Sequence, residues 1–274
     1  MATMQLDRSR PILGISRERI TVFTLLLARV AGYVSVFGLW LYLSKSVFDP
    51  ITLPPPSKVF DAMREIIDDN LLWTNFQYSM TTFLITFTLA FLIGTFIGML
   101  MGRSRYFDAF FRDYILASLT TPGLVFIFVG IMLFGIGPSG RILPVTLIVI
   151  PLVVINVVEG VQAIPRDLFD MANAYRVTGV RQVRHILLPG IAPFLFTAAR
   201  YAIAVGLRVS ALIEVFGGTR GMGFQLRRNF ERYDVAGAMA WTLFIVIFVL
   251  IVERIILKRA EKIFFKWRPE AFTS

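Results

Sequence analysis

From Glu159 to Gly190 the chain reads EGVQAIPRDLFDMANAYRVTGVRQVRHILLPG, and this stretch decides how the rest is arranged. Long apolar runs flank it, so about 30 residues separate two candidate membrane spans, where helix–helix connections in bundles usually take about 2–8. Pro165 suits a first helical position, where its missing N–H would have no partner anyway. Leu168, Met171, Ala172 and Tyr175 follow at i, i+3, i+4 and i+7, one apolar stripe on a helix that shows Asp167, Asp170, Asn173 and Arg176 elsewhere. Thr178-Gly179 interrupts the run, and Arg181 to Leu188 can form another turn or two before Pro189. The expected form is two short helices with a break, protruding from a bundle. The same pattern also describes a helix on the inner membrane surface with its arginines among lipid headgroups.

Outward from this stretch, the 274 residues are 56% hydrophobic and 17% charged, well below the roughly 25% charge of a soluble domain. A spanning helix needs about 20 apolar residues, and six stretches qualify: Val22–Leu43, Met80–Met101, Tyr114–Phe134, Ile142–Val158, Ile191–Val215 and Ala236–Leu257. The expected fold is therefore all-α, a polytopic membrane protein with six transmembrane helices. Residues 1–21 form an N-terminal segment, 22–257 the six-span domain containing the 159–190 loop, and 258–274 a basic tail. The first span has no cleavage pattern after it and is expected to remain as an anchor. Pro122 in the third span and Pro144 and Pro151 in the fourth remove backbone donors, marking either pore-lining breaks or simple packing kinks.

Net charge is +10, which in a soluble chain would suggest nucleic acid. The distribution excludes that reading. With both termini inside, 16 of the 28 Lys and Arg fall on the cytoplasmic side and 8 on the other, the asymmetry that orients membrane proteins. Both termini are expected in the cytoplasm. Cys is absent and His185 is the single histidine, so no thiolate or multi-histidine metal centre is available, and no catalytic residue is assigned. The external Ser44–Ser79 segment carries Leu53-Pro54-Pro55-Pro56 and then Phe60, Met63, Ile66 and Ile67 at helical spacing, the pattern of an interfacial amphipathic helix. No external loop is large enough to capture a dilute solute, so that task needs another protein.

Asp170-Met171-Ala172 followed by Ile186-Leu187-Leu188-Pro189 resembles the EAA loop of permease subunits of binding-protein-dependent ABC importers. The resemblance extends to Leu53-Pro54-Pro55-Pro56, Thr121-Pro122, Phe134-Gly135-Ile136-Gly137 and the Gly217–Phe224 loop after Glu214, in the order found in the nitrate/sulfonate/taurine-type branch. Two positions depart from the pattern. Asp170 stands where the family usually has Glu, and Arg176 stands where its Gly is expected, with Gly179 three residues later. Either Gly179 supplies the bend in a shifted position or the loop turns differently.

The resemblance implies a type I ABC importer permease fold and a pairing with a second copy of the chain or a related permease, embedded in the lipid of a bacterial inner membrane. It further implies two cytoplasmic ABC ATPase subunits and an extracytoplasmic solute-binding protein, moving a small, anionic solute. The chain lacks G-x-x-x-x-G-K-[ST], so it is expected to hold no cofactor and to be no enzyme itself, ATP and magnesium being bound by the ATPases. Docking would use Leu168, Asp170, Met171, Ala172, Tyr175, Arg176, Gly179, Leu188 and Pro189. Pro122, Arg208 and Glu214 are candidates for the translocation path, and Gly217, Gly221 and Gly223 for an outer turn beside it, contacting a binding protein or merely connecting two helices. Arg208 has two readings, a cation attracting an anionic substrate or half of an ion pair with a neighbouring span. Glu214, six residues on, lies about 240° round the helix and cannot pair with Arg208. Glu214 is expected as a gate or structural contact near the outer mouth. An ion-coupled secondary transporter or channel is the alternative class; it predicts acids in the membrane core and no docking loop.

Overall fold

A computed structural model describes residues 14–260 other than Thr178. Most of the expected N-terminal segment and of the basic tail, residues 1–13 and 261–274, lies outside the described residues. Among these every regular element is a helix, the form in which a single segment satisfies its own backbone groups in lipid. The chain forms two compact units, one up to Phe60 and one from Asp61.

In the first unit, α1 (Gly14–Ser46) contains the span Leu27–Ser46. Tyr33, Val34, Val36 and Leu39 are all exposed, so apolar side chains encircle the helix instead of forming one inward stripe. Trp40 Nε1 donates to the Pro54 carbonyl at 3.2 Å, anchoring the corner built by Leu53-Pro54-Pro55-Pro56. Next, α2 (Pro56–Asp68), which runs from the first unit into the second, begins on a proline, whose missing N–H costs nothing there. Its inward residues are Val59, Ala62, Met63 and Ile66, while Phe60 and Ile67 are exposed. The stripe is thus rotated from the Phe60, Met63, Ile66, Ile67 pattern read in the sequence, because Val59 rather than Phe60 leads it.

The second unit is organised by three long helices, α3 (Leu71–Arg103), α6 (Pro138–Gln162) and α9 (Leu188–Gly217). α3 lies along α6, and α6 along α9. Gly94, Gly98 and Gly102 make one face of α3, and a Cβ on each would come within 2.8, 2.7 and 2.5 Å of the Cβ of Val153, Val157 and Val161. A ridge of branched side chains thus lies in a groove that only glycine leaves open. The core continues through Val145, Val149, Ile191, Ala198, Ala202 and Ile213.

α6 runs unbroken through Pro144 and Pro151, both buried. Gly130 supplies the space for Pro144, since a Cβ there would lie 2.0 Å from the proline Cγ. α6 thus has no break at either proline, and Pro144 is packed against Gly130. The third expected span is two helices, α4 (Arg105–Thr120) and α5 (Gly123–Phe134), bent by 101° at Thr121-Pro122. A residue before proline is pushed out of the helical region. The Thr120 and Thr121 hydroxyls donate to the Ala117 carbonyl, at 3.0 and 2.7 Å, and close the end of α4. The described chain therefore has five helices long and apolar enough to span a membrane, and six if the α4–α5 pair is counted as one broken span.

Candidate functional site

The loop between α6 and α9 contains α7 (Arg166–Ala174) and α8 (Gly179–Gln182). Pro165 is the residue before α7 rather than its first. Ala172 is buried and Phe169 half-buried, while Leu168 is 40%, Met171 51% and Tyr175 79% exposed. The apolar stripe of the sequence is therefore split: Ala172 packs inward, and three large side chains with the exposed Asp170 face away from the body of the unit. Val180, in α8, is also exposed and was not singled out by the periodicity.

The turn after α7 answers the question raised by the missing glycine. Arg176 has φ 53°, the left-handed region; its N–H donates to the Asn173 carbonyl at 3.0 Å, and the Val177 N–H to Ala172 at 2.9 Å. These are the two bonds of a Schellman helix end with Arg176 in the position that glycine normally takes. Gly179 is not the bend; it starts α8, and a Cβ there would meet no atom within 4 Å. The family turn is kept at its own position by a residue that pays a left-handed penalty of about 1–2 kcal/mol.

One polar side chain holds this loop together. Gln182 is buried; its Nε2 donates to Asn173 Oδ1 at 2.7 Å and to the Val177 carbonyl at 3.2 Å, and its Oε1 accepts from Arg103 at 3.5 Å. It ties the end of α7 to α8 and to the end of α3. Between α8 and α9 runs a short π-helical segment, Val183–Leu187. Leu188 and Pro189 open α9. Proline cannot donate to the carbonyl four residues back, and widening the preceding turn accommodates that loss.

At the other end of α9 a buried polar cluster gathers around Glu214, which is 0% exposed. Its Oε2 accepts from Ser79 Oγ at 2.8 Å and from the Gly223 N–H at 3.0 Å. Ser79 Oγ in turn accepts from the Met222 N–H at 2.9 Å, and Asn75 Oδ1 from the Gly221 N–H at 3.1 Å. The Gly217–Phe224 loop is thereby fastened to both α3 and α9 before α10 (Met222–Glu231) begins. Gly221 has φ 106° and ψ 172°, a region that is essentially glycine's alone, and a Cβ would lie 2.5 Å from Glu214 Oε2. At Gly223 a Cβ would lie 2.4 Å from the Ala211 carbonyl. Gly217, Gly221 and Gly223 are all buried, whereas Thr219 and Arg220 are exposed. The glycines themselves thus form no exposed contact surface.

Arg141, counted with the external cations in the sequence, is only 4% exposed. It lies over the Tyr78 ring with its guanidinium carbon 4.8 Å from the centroid, donates to the Gly137 carbonyl at 3.2 Å, and acts electrostatically on Glu214. Among the described residues Ser210 Oγ and Glu214 Oε1 have no hydrogen-bond partner, and both residues border a small cavity of about 20 Å³, room for a single water. Neither Asn75, Ser79, Gln182 nor Arg141 was identified from the sequence, where isolated polar residues carry no sign of their partners.

Of the remaining candidates, Pro122 sits at the α4–α5 break. Arg208 donates to Glu253 Oε1; Glu253 belongs to the π-helical segment Val252–Leu257 that continues α11 (Val235–Ile251). Of the two readings of Arg208, the ion pair is the one present. The Arg208 side chain remains 59% exposed.

Comparison with known proteins agrees with this architecture. The family described as "Binding-protein-dependent transport system inner membrane component" matches residues 90–266. The chain is similar to the taurine transport system permease protein TauC of Escherichia coli, 25% identical over 83% of this chain and 84% of that protein. It is also similar to the bicarbonate transport system permease protein CmpB of Synechococcus elongatus, at 24% over 88% and 89%. The aliphatic sulfonates permease SsuC of Escherichia coli is 26% identical over 89% and 94%. Among solved structures, the inward-facing MetNI methionine ABC transporter superposes with a TM-score of 0.58 at 19% identity, covering 72% of this chain and 95% of that one. With the match covering well over half its length, the chain belongs to the inner membrane components of binding-protein-dependent transport systems, the permeases of ABC importers.

Proposed function

We propose that the α6–α9 loop is the surface through which separate cytoplasmic ATPase subunits drive this permease, and that the transported solute is a small oxyanion delivered by a solute-binding protein. The observation that carries the first part is the exposure of Leu168, Met171 and Tyr175 along one side of α7, with Asp170 exposed beyond them, on a helix whose back is held by Ala172 and Gln182. An apolar face flanked by a charge fits a groove in a partner, and its rigid attachment lets motion of the partner reach α9. Asp170 would pair a basic ATPase residue. ATP and magnesium would be bound by that partner, and two copies of this chain, or one with a related permease, would form the path between them.

The second part is supported by the relatives, whose names specify taurine, bicarbonate and aliphatic sulfonates, each with an oxyanion group. In this reading both termini are cytoplasmic, the 22–257 region is the permease domain, and the Glu214 cluster lies toward the outer mouth, where a binding protein would meet Thr219 and Arg220. Arg208 contributes through its pair with Glu253, holding α9 to α11, rather than as a free cation.

Proteoliposomes containing the chain, its ATPase and its binding protein test the reading. ATP-dependent uptake of a sulfonate or bicarbonate is expected, with a neutral analogue excluded; uptake without ATP in an ion gradient would instead support secondary transport. Arg208→Gln and Glu253→Gln are expected to impair assembly to similar degrees. Loss of uptake in Arg208→Gln alone, with assembly intact, would restore the substrate-attracting role.

A further inference from the structure

A cavity of about 650 Å³ lies between the α3–α4 corner and the inner side of the α6–α9 loop, within the range of about 300–1,000 Å³ typical of small-molecule sites. Arg103 and Arg105 line it from the corner, and Arg166, Asn173 and Gln182 from the loop. Asp108 also lines it, but its charge is engaged by Arg112. Among the described residues Arg105 and Arg166 make no ion pair, and Arg103 has only the long contact to Gln182. Three guanidinium groups therefore border one cavity against a single carboxylate, Asp108, whose Oδ2 is taken by Arg112 and whose Oδ1 has no hydrogen-bond partner among the described residues, leaving positive charge in excess. Guanidinium forks match the paired oxygens of phosphate, sulfonate and carboxylate groups. The cavity is on the opposite side of α7 from Leu168, Met171 and Tyr175, so an occupant would not compete with a protein docked on those residues.

We propose that this cavity is a regulatory site for an oxyanion group, which bridges Arg103 and Arg105 on one side and Arg166 on the other and stiffens the attachment of α7 to the ends of α3 and α4. In the orientation proposed above the cavity lies at the level of the inner leaflet, so the group is either a lipid phosphate or a free cytosolic anion. Either would bind the arrangement seen here more tightly than one with α7 swung away, and would shift the equilibrium by that difference. The proposal concerns binding alone and does not depend on which solute is transported.

The test uses the full chain in the complex in which it is extracted, placed in phosphatidylcholine nanodiscs. Millimolar sulfate is titrated against chloride at constant ionic strength while the melting midpoint is followed; a second series replaces a third of the lipid with phosphatidylglycerol and omits sulfate. A saturable rise of about 5 °C is expected in one series, and its disappearance in Arg105→Gln/Arg166→Gln. A rise with sulfate identifies a free anion, and a rise with phosphatidylglycerol alone identifies the lipid headgroup; both support the site. No rise in either series overturns it. So does an equal rise in the double variant, because general salting-out by sulfate is not saturable at such concentrations and ignores these arginines. Both arginines are exposed, so the unliganded midpoint should be unchanged; if the double variant is lost, the two single substitutions are read in the same way.

Discussion

The two loops at the ends of α9 are built on opposite plans. The α9–α10 loop turns inward: its glycines are buried, its N–H groups are spent on Asn75, Ser79 and Glu214, and it has no large apolar side chain outward. The α6–α9 loop turns outward, holding itself with Gln182 and leaving Leu168, Met171, Tyr175 and Val180 uncovered. Fastening by buried hydrogen bonds makes a segment part of the fold. A self-supporting segment with an uncovered apolar face belongs to an assembly larger than one chain. On the function proposed above, the difference separates residues whose loss harms the subunit from residues whose loss harms only its coupling.

The sharpest way to break this contrast is to exchange the expected consequences. Glu214→Ala strands the Ser79 hydroxyl and the Gly223 N–H in a buried site, at about 1–3 kcal/mol for each group. The melting midpoint of the solubilised subunit should fall by about 8 °C. Asp170→Arg should leave that midpoint within about 1 °C, as for an exposed substitution, while uptake falls by roughly tenfold or more because the charge pair proposed with the ATPase becomes a repulsion. If Asp170→Arg melts early, or Glu214→Ala melts normally, the division between the loops is wrong.

The glycines give a smaller test. Gly221→Ala meets both a forbidden backbone and the Glu214 carboxyl and should cost about 2–3 kcal/mol. Gly179→Ala, in open space at the start of α8, should be neutral or stabilising by up to about 1 kcal/mol. Smallest of all, Arg176→Gly relieves a left-handed arginine and should raise the midpoint by about 2 °C. A fall in the midpoint would show that the guanidinium contributes more there than its backbone costs.

These loops also show what could be read from residues alone. Spans were legible because 20 apolar residues in a row have few alternatives, and the α6–α9 loop because its length and periodicity depart from a plain connection. The break at Pro122 was visible, but its 101° angle depends on what α4 and α5 each pack against. Asn75 and Ser79 meet Glu214 and Gly221 across more than 130 positions, a distance over which no local pattern speaks. In α2, beginning the stripe at Phe60 instead of Val59 exchanged inward for outward residues, since neighbours in a helix are 100° apart. The Gly94, Gly98, Gly102 spacing was a readable signal of close helix contact and passed unread.

That spacing has a kinetic meaning. Each valine of α6 sits opposite one glycine of α3, so sliding the helices by less than a full repeat drives a valine into a side chain or carbonyl. The next arrangement that fits is four residues away, about 6 Å along the axis. Small displacements at either end of this helix pair are therefore transmitted through it without slack.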